Sequence, residues 1–228
     1  MARAEDLAWS DSAQVVVVGW GAAGACAALQ ARQEGASVLV IDRFEGGGAS
    51  ALSGGVVYAG GGTPQQKEAG FVDSPQFMHA YLRHEVGQVV SDATLERFCH
   101  DSVANQRWLE SHGVRFGATM PDHKTSYPPE GKFLYYSGNE MVPAYGQHLP
   151  PGQKPAPRGH RVVAKGQSGA TFFAALQKAT LQVGAQTLLQ ASVRRLVCEQ
   201  NADGSPGRVL GVEVWHMPAG DARTAQHA

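Results

Sequence analysis

The sequence has no surplus of positive charge: 19 Lys and Arg stand against 20 Asp and Glu, a formal net charge of −1. Nothing in that balance neutralises a run of phosphates, which argues against nucleic-acid binding. Cysteine is scarce. Cys26, Cys99 and Cys198 are odd in number, far apart and in no Cys-x-x-Cys pair, so neither a disulfide framework nor a zinc site is expected, and a reducing, cytoplasmic home fits. None of the nine histidines stands four residues from another, so a helix-borne metal pair is absent and no metal is expected. There is no G-x-S-x-G elbow and no G-x-x-x-x-G-K-[ST] loop, which removes the anchors of a serine hydrolase and of a nucleoside triphosphatase. The N-terminus mixes Arg3, Glu5, Asp6 and Asp11 and lacks the apolar stretch of a signal peptide. Residues 12–31 carry no charge, but they are rich in Ala and Gly and read as a buried strand and helix, with no membrane span expected.

What is abundant is glycine, 28 of 228 residues or about 12% against a usual ~7%. The block Gln14–Val18 is β-branched, as in a strand covered on both faces of a parallel sheet. Residues 22–34 then read as a helix closed by Gly35, and Ser37–Ile41 as a second buried strand, giving a βαβ unit. From Gly46 to Gly62 there are eight glycines in seventeen residues, which reads as a loop. Ser74-Pro75 starts one helix, and Ser91 caps a longer one ending at Gly113. Eight of the twelve prolines and four of the six tyrosines fall between Pro121 and Pro157, a composition that resists regular structure. Ser168 caps a helix over 169–183 ended by Gly184. Residues 185–200 and 208–215 alternate as strands around NADGSPG.

The first turn of the βαβ unit carries the chemistry. Gly19-Trp20-Gly21-Ala22-Ala23-Gly24 matches G-x-G-x-x-G directly after a strand and at the start of a helix, and Asp42 ends the next strand. Gly19 permits a tight turn, Gly21 lets backbone approach a pyrophosphate, and Gly24 allows close strand–helix packing. The helix N-terminus offers amides and a positive dipole to phosphate, and Asp42 accepts from ribose hydroxyls. NAD and FAD share this fingerprint. The second glycine tract, Gly46 to Ser50 with Ser53, Gly54 and Gly55, supplies bare amides and hydroxyls for a longer cofactor and favours FAD.

With VLVIDR, GGAS, ALSGGVVYAGGGTPQQKEAGF and PAPRGH, the chain from about residue 12 to 215 resembles the FAD-dependent oxidoreductases of the fumarate reductase/succinate dehydrogenase type, most closely their 3-oxosteroid Δ4-dehydrogenase branch. Asp42 stands where those enzymes commonly have Glu, and the chain is one residue shorter before Gly47. The resemblance implies an α/β fold, a partial Rossmann-like FAD-binding domain of the glutathione-reductase type with helices on both sheet faces and a terminal β-meander. It implies that residues 1–228 are one FAD-binding domain, with 121–160 a proline- and aromatic-rich loop inserted in it. The FAD contacts it implies are Gly19, Trp20, Gly21, Ala22, Ala23, Gly24, Asp42, Arg43, Gly47, Gly48, Ala49, Ser50, Ser53, Gly54 and Gly55, with the Val193 backbone near adenine. Trp20 reads as a packing residue whose amide is used. The implied reaction removes hydride and proton from adjacent carbons of a small, apolar, ketosteroid-like substrate, or runs in reverse, with an unassigned electron acceptor. A fumarate-reductase-like or other flavoprotein, and a non-catalytic dinucleotide-binding remnant, are the alternatives. Enzymes of this type are longer, and their capping domain, final cofactor-binding strand and catalytic tyrosines would lie beyond Ala228. Tyr135, Tyr136 and Tyr145 read equally as pocket lining or as packing, and Arg158 and His160 lean to a structural role.

Overall fold

A computed structural model describes residues 8–147, 149 and 151–217. In chain order the elements are β1 (Val15–Val18), α1 (Ala22–Gln33), β2 (Val38–Ile41), α2 (Gly48–Leu52), β3 (Val56–Tyr58), α3 (Pro64–Glu68), α4 (Pro75–Val86) and α5 (Asp92–Ser111). They continue with β4 (Leu134–Tyr135), α6 (Pro143–Gly146), β5 (Gly159–Arg161), α7 (Gly169–Gln182), β6 (Gln186–Leu188), β7 (Ala191–Gln200) and β8 (Pro206–His216). Two compact units result, one of residues 1–49 and 176–228, the other of residues 50–175. Arg3, Glu5, Asp6 and the tail beyond Met217 lie outside the described residues.

The first unit is built on the expected βαβ. β1 and β2 pair in parallel, Val15 opposite Val38 through Val18 opposite Ile41, and β6 joins β2 in parallel on its other side. All four residues of β2 are buried, which is why its sequence is a continuous apolar run. Gly35, at φ 88°, turns the chain from α1 into β2. The sequence reading placed residues 186–188 in a meander; their Gln-Thr-Leu has no buried-strand signature, so the parallel pairing came only with the structure. The other face of the sheet differs from expectation too. Leu39 and Ile41 pack with Ala191, Val193, Val212 and Val214, so the antiparallel β7–β8 pair covers this face where helices were expected.

In the second unit, β5 pairs antiparallel with both β3 and β4. The tract from Gly46 to Gly62 is thus not all loop. It contains α2 and β3, because the glycines fall in three groups, Gly46 to Gly48, Gly54 with Gly55, and Gly60 to Gly62, and leave Ala-Ser-Ala-Leu and Val-Val-Tyr between them. The capping signals held: Ser74 and Ser91 accept from Phe77 N–H and Thr94 N–H at the starts of α4 and α5. Met78, Tyr81, Leu82, Leu95 and Cys99 bury the seam of those two helices. Thr63 and Gln66 close a reciprocal capping box on α3. Residues 112–158 are mostly irregular, as their prolines predict. Among the described residues no helix is long and apolar enough to cross a membrane.

Candidate cofactor site and a buried polar network

In the first unit the chain leaves β1 through Gly19, at φ 93°, a conformation closed to most side chains. Gly19 N–H donates to Ile41 C=O at 2.7 Å, seating the turn at the end of β2. Gly24 is glycine for a different reason. A Cβ there would lie 1.9 Å from the Gly19 carbonyl oxygen and 3.3 Å from Val17 Cγ1, so α1 starts this close to the strand only without a side chain. Gly21 is the N-cap of α1, with no side chain bonded over the end and no acidic residue in the first turn. The twelve-residue helix thus begins at a residue without a side chain, with the small Ala22 and Ala23 in its first turn and its positive dipole end at the glycine turn.

Asp42 lies at the same place. Its Oδ2 accepts from Trp20 N–H at 2.6 Å, and its Oδ1 from Phe44 N–H at 2.8 Å. Each carboxylate oxygen carries two lone pairs, so each retains acceptor capacity for a ribose hydroxyl. The Trp20 side chain is buried at 1% exposure, as its packing role predicted, while its amide fixes the carboxylate and its carbonyl accepts from Gly47 N–H at 2.7 Å. Arg43 is exposed, its guanidinium 4.5 Å from the Phe44 ring centroid. Gly48 and Ala49 open α2 on the surface. Val193 is paired with Val214 and packed in the sheet-covering cluster. These residues fit a dinucleotide: a side-chain-free turn at a helix N-terminus for the pyrophosphate, an oriented carboxylate for the ribose.

The remaining residues of the second tract belong to the other unit, where they serve its own packing. Ser53 Oγ donates to Ser50 C=O at 2.8 Å. Gly54 C=O accepts from the Tyr127 hydroxyl at 2.9 Å, and a Cβ on Gly54 would sit 2.6 Å from that ring. A Cβ on Gly55 would meet the Ser168 backbone at 2.5 Å. Gly54 and Gly55 therefore have intramolecular reasons to be glycine, and the tract alone does not discriminate FAD from NAD.

The same unit holds a polar network that the sequence only hinted at. Arg158, 2% exposed, forms a two-pronged ion pair with Asp73: Nη2 to Oδ1 at 2.8 Å and Nε to Oδ2 at 3.0 Å. Asp73 also accepts from the amides of Gly61 and Ser74 and from Gln66 Nε2. Gln66 Oε1 in turn accepts from the amides of Gly62 and Thr63. Burial works to lower the Arg158 pKa, but the hydrogen bonds and charge of Asp73 overcome it and hold the guanidinium charged. His160 is fully buried between Thr63 Oγ1 at 2.9 Å and Arg158 C=O at 3.0 Å. Burial pushes its pKa down to about 4, against the pull of that carbonyl and of Asp73, so it is neutral. Arg161, 1% exposed, donates to Ser168 Oγ and to the carbonyls of Pro128, Pro129, Ala164 and Gly166. Arg161, directly after PRGH, thus clamps the proline-rich loop, while Arg158 and His160 fix PRGH itself to Asp73 and Thr63. Tyr135 is buried, and Tyr145 packs beside the α4–α5 seam, its ring 6.0 Å from that of Tyr81. Tyr136 donates to Pro155 C=O at 3.3 Å and meets Phe71 edge-on. Among the described residues no group of three His, Cys, Asp or Glu side chains is placed to hold a metal.

The comparisons with known proteins agree with this geometry. The FAD binding domain family model matches residues 14–228. A 3-oxo-5-alpha-steroid 4-dehydrogenase of Comamonas testosteroni is 61% identical over 228 residues, covering 98% of this chain and 41% of that protein. The solved 3-ketosteroid-delta4-(5alpha)-dehydrogenase of Rhodococcus jostii RHA1, in complex with 4-androstene-3,17-dione, superposes with a TM-score of 0.84 at 33% identity over 92% of this chain and 43% of that one. A flavocytochrome c3 fumarate reductase gives 0.62 at 26% identity, over 90% of this chain and 32% of that one. The chain spans about two fifths of the curated relative's length. With the glycine turn, the fixed Asp42 and a family match over nearly its whole length, the chain belongs to the FAD binding domain family.

Proposed function

We propose that this chain is the FAD-binding portion of a flavin-dependent oxidoreductase that dehydrogenates a carbon–carbon bond of a 3-ketosteroid-like substrate. The observation that carries the reading is the 61% identity to the steroid 4-dehydrogenase over the chain, together with the Asp42 carboxylate oriented at the glycine turn. Gly19 to Gly24 would hold the pyrophosphate and Asp42 the ribose, with Arg43, Gly47, Gly48, Ala49, Ser50, Ser53, Gly54, Gly55 and the Val193 backbone as further contacts. Bound flavin would supply the hydride-accepting chemistry, and the protein's part is to bind and orient it. We read residues 1–228 as one such domain despite their two compact units, with 121–160 as its inserted loop, and place the chain in the cytoplasm, where free Cys26, Cys99 and Cys198 fit.

A dicarboxylate reductase of the fumarate type is the second reading, favoured by the flavocytochrome likeness. Such a substrate needs cationic partners, and among the described residues the buried Arg158 and Arg161 are committed to protein acceptors. Titration of FAD and NAD against tryptophan fluorescence tests the cofactor, and tighter NAD binding refutes it. Assay with FAD, a 3-ketosteroid and an artificial electron acceptor tests the reaction. The 228 residues alone should give no turnover, since no base, carbonyl-polarising donor or water-excluding cap is assignable among them. Fusion to the remaining sequence of the Comamonas relative should restore turnover with steroid and none with fumarate. Turnover with fumarate alone refutes the steroid reading.

A further inference from the structure

Between β6 and β7 the chain turns through Gln190, at φ 53° the one residue other than glycine with a positive φ among the described residues. A residue with a Cβ holds that conformation only where its surroundings demand it. Here they do. Gln190 N–H donates to Phe44 C=O at 3.2 Å, and the next amide, Ala191 N–H, donates to Asp42 C=O at 2.9 Å. In an extended strand consecutive amides point to opposite sides; the positive φ swings both onto one segment. Asp42 N–H donates to Leu188 C=O at 3.0 Å, Gln190 Nε2 donates to Glu45 Oε1 at 2.7 Å, and Met217 N–H locks the Gln190 carbonyl at 2.9 Å. Asp42 and Phe44 are therefore held through their backbone and Glu45 through its side chain, while the Asp42 carboxylate is held by the amides of Trp20 and Phe44.

We infer that Gln190 is a positioning residue for the adenosine end of the cofactor: its left-handed turn sets the backbone that aims the Asp42 carboxylate at the ribose. The inference rests on the reading of Asp42 as the ribose acceptor. A β-branched residue resists this φ, whereas glycine adopts it freely and asparagine tolerates it.

The test is calorimetric titration of the full chain with ADP, the part of FAD that Asp42 would hold, using Q190V, Q190N, Q190G, D42A and Q190V/D42A. Q190V should weaken ADP by about tenfold, the scale of one strained backbone position, while Q190N and Q190G stay within about twofold of the parent. In the D42A background Q190V should cause no further loss, because its effect runs through the carboxylate. Unchanged affinity in Q190V, or equal losses with and without Asp42, overturns the inference. If the parent chain binds no ADP, it is the reading of Asp42 that fails, and amide exchange then decides the role of Gln190. Faster exchange of the Trp20 and Phe44 amides in Q190V, with β7–β8 unchanged, upholds it; unaltered exchange refutes it.

Discussion

Replacing Asp73 by Leu removes the partner of a guanidinium that is 2% exposed. The Arg158 charge then loses its two-pronged partner and keeps only the more distant Glu140 carboxylate, and the amides of Gly61 and Ser74 and Gln66 Nε2 lose an acceptor. Breaking one side of a buried ion pair costs ~3–5 kcal/mol, and each orphaned buried donor adds ~1–3 kcal/mol where nothing replaces its partner. Space offers no escape for the guanidinium: a Cβ on Gly60 would already lie 2.8 Å from both Arg158 Cδ and Asp73 Oδ2. Against a total stability of ~5–15 kcal/mol, D73L should lower the urea midpoint sharply or prevent folding. R158M should cost less, because the carboxylate keeps three other donors. The double variant D73L/R158M should be more stable than D73L alone by about 2 kcal/mol, because it removes the unpaired charge. Urea denaturation followed by circular dichroism supplies all three midpoints. Additive losses, or a D73L midpoint equal to the parent's, would refute the account of Arg158 as a buried structural cation.

Three further outcomes follow from the geometry. G24A should abolish FAD binding and lower stability, since its Cβ would fall 1.9 Å from the Gly19 carbonyl oxygen; undiminished affinity by fluorescence titration would show that α1 need not start so close to β1. D42A should weaken FAD by about 1–3 kcal/mol through lost charge-assisted bonds, read in the same titration, and a change below about 0.5 kcal/mol would count against ribose contact. His160 should make stability fall in acid: its pKa is lowered to about 4 from an ordinary 6.5, so its contribution is complete above about pH 6.5 and is lost as pH drops toward 4, approaching about 3 kcal/mol. The slope of unfolding free energy over that window should be smaller in H160Q, and equal slopes would contradict the assignment.

The fingerprint was legible because its requirements are local. A strand of four valines, a glycine turn, a helix with no acidic first turn and a strand ending in aspartate each leave a mark within a few residues, and the structure places β1, α1 and β2 within a residue or two of expectation. Helix starts were legible at Ser74 and Ser91 for the same reason: a hydroxyl that accepts from the amide three residues on needs only its own chain. What was not legible depends on distant partners. Gln186-Thr187-Leu188 becomes a parallel strand because β2 offers it an edge, and nothing in its own composition says so. Gln190 takes a positive φ to satisfy Asp42 and Phe44, about 146 residues away in sequence.

The glycines mark where that locality ends. Gly19 and Gly24 answer to each other across five residues, which is why their spacing can be read as a motif. Gly54, Gly55 and Gly60 are glycine because Tyr127, Ser168 and the Asp73–Arg158 pair lie against them, partners that only the folded chain brings near. A glycine-rich tract after a nucleotide-binding strand therefore has two explanations that look alike in sequence, a cofactor approaching the backbone or the protein's own interior doing so. Gly62 belongs to the second group. Its φ of 95° and its amide bond to Gln66 Oε1 tie it to the network below Arg158, so the conformational demand there comes from the core of the second unit. The first glycine turn with Asp42 accordingly marks a dinucleotide site and the family match makes that dinucleotide FAD, while Gly54, Gly55, Gly60 and Gly62 also build the scaffold of the second unit, in which Arg158, His160 and Arg161 are buried.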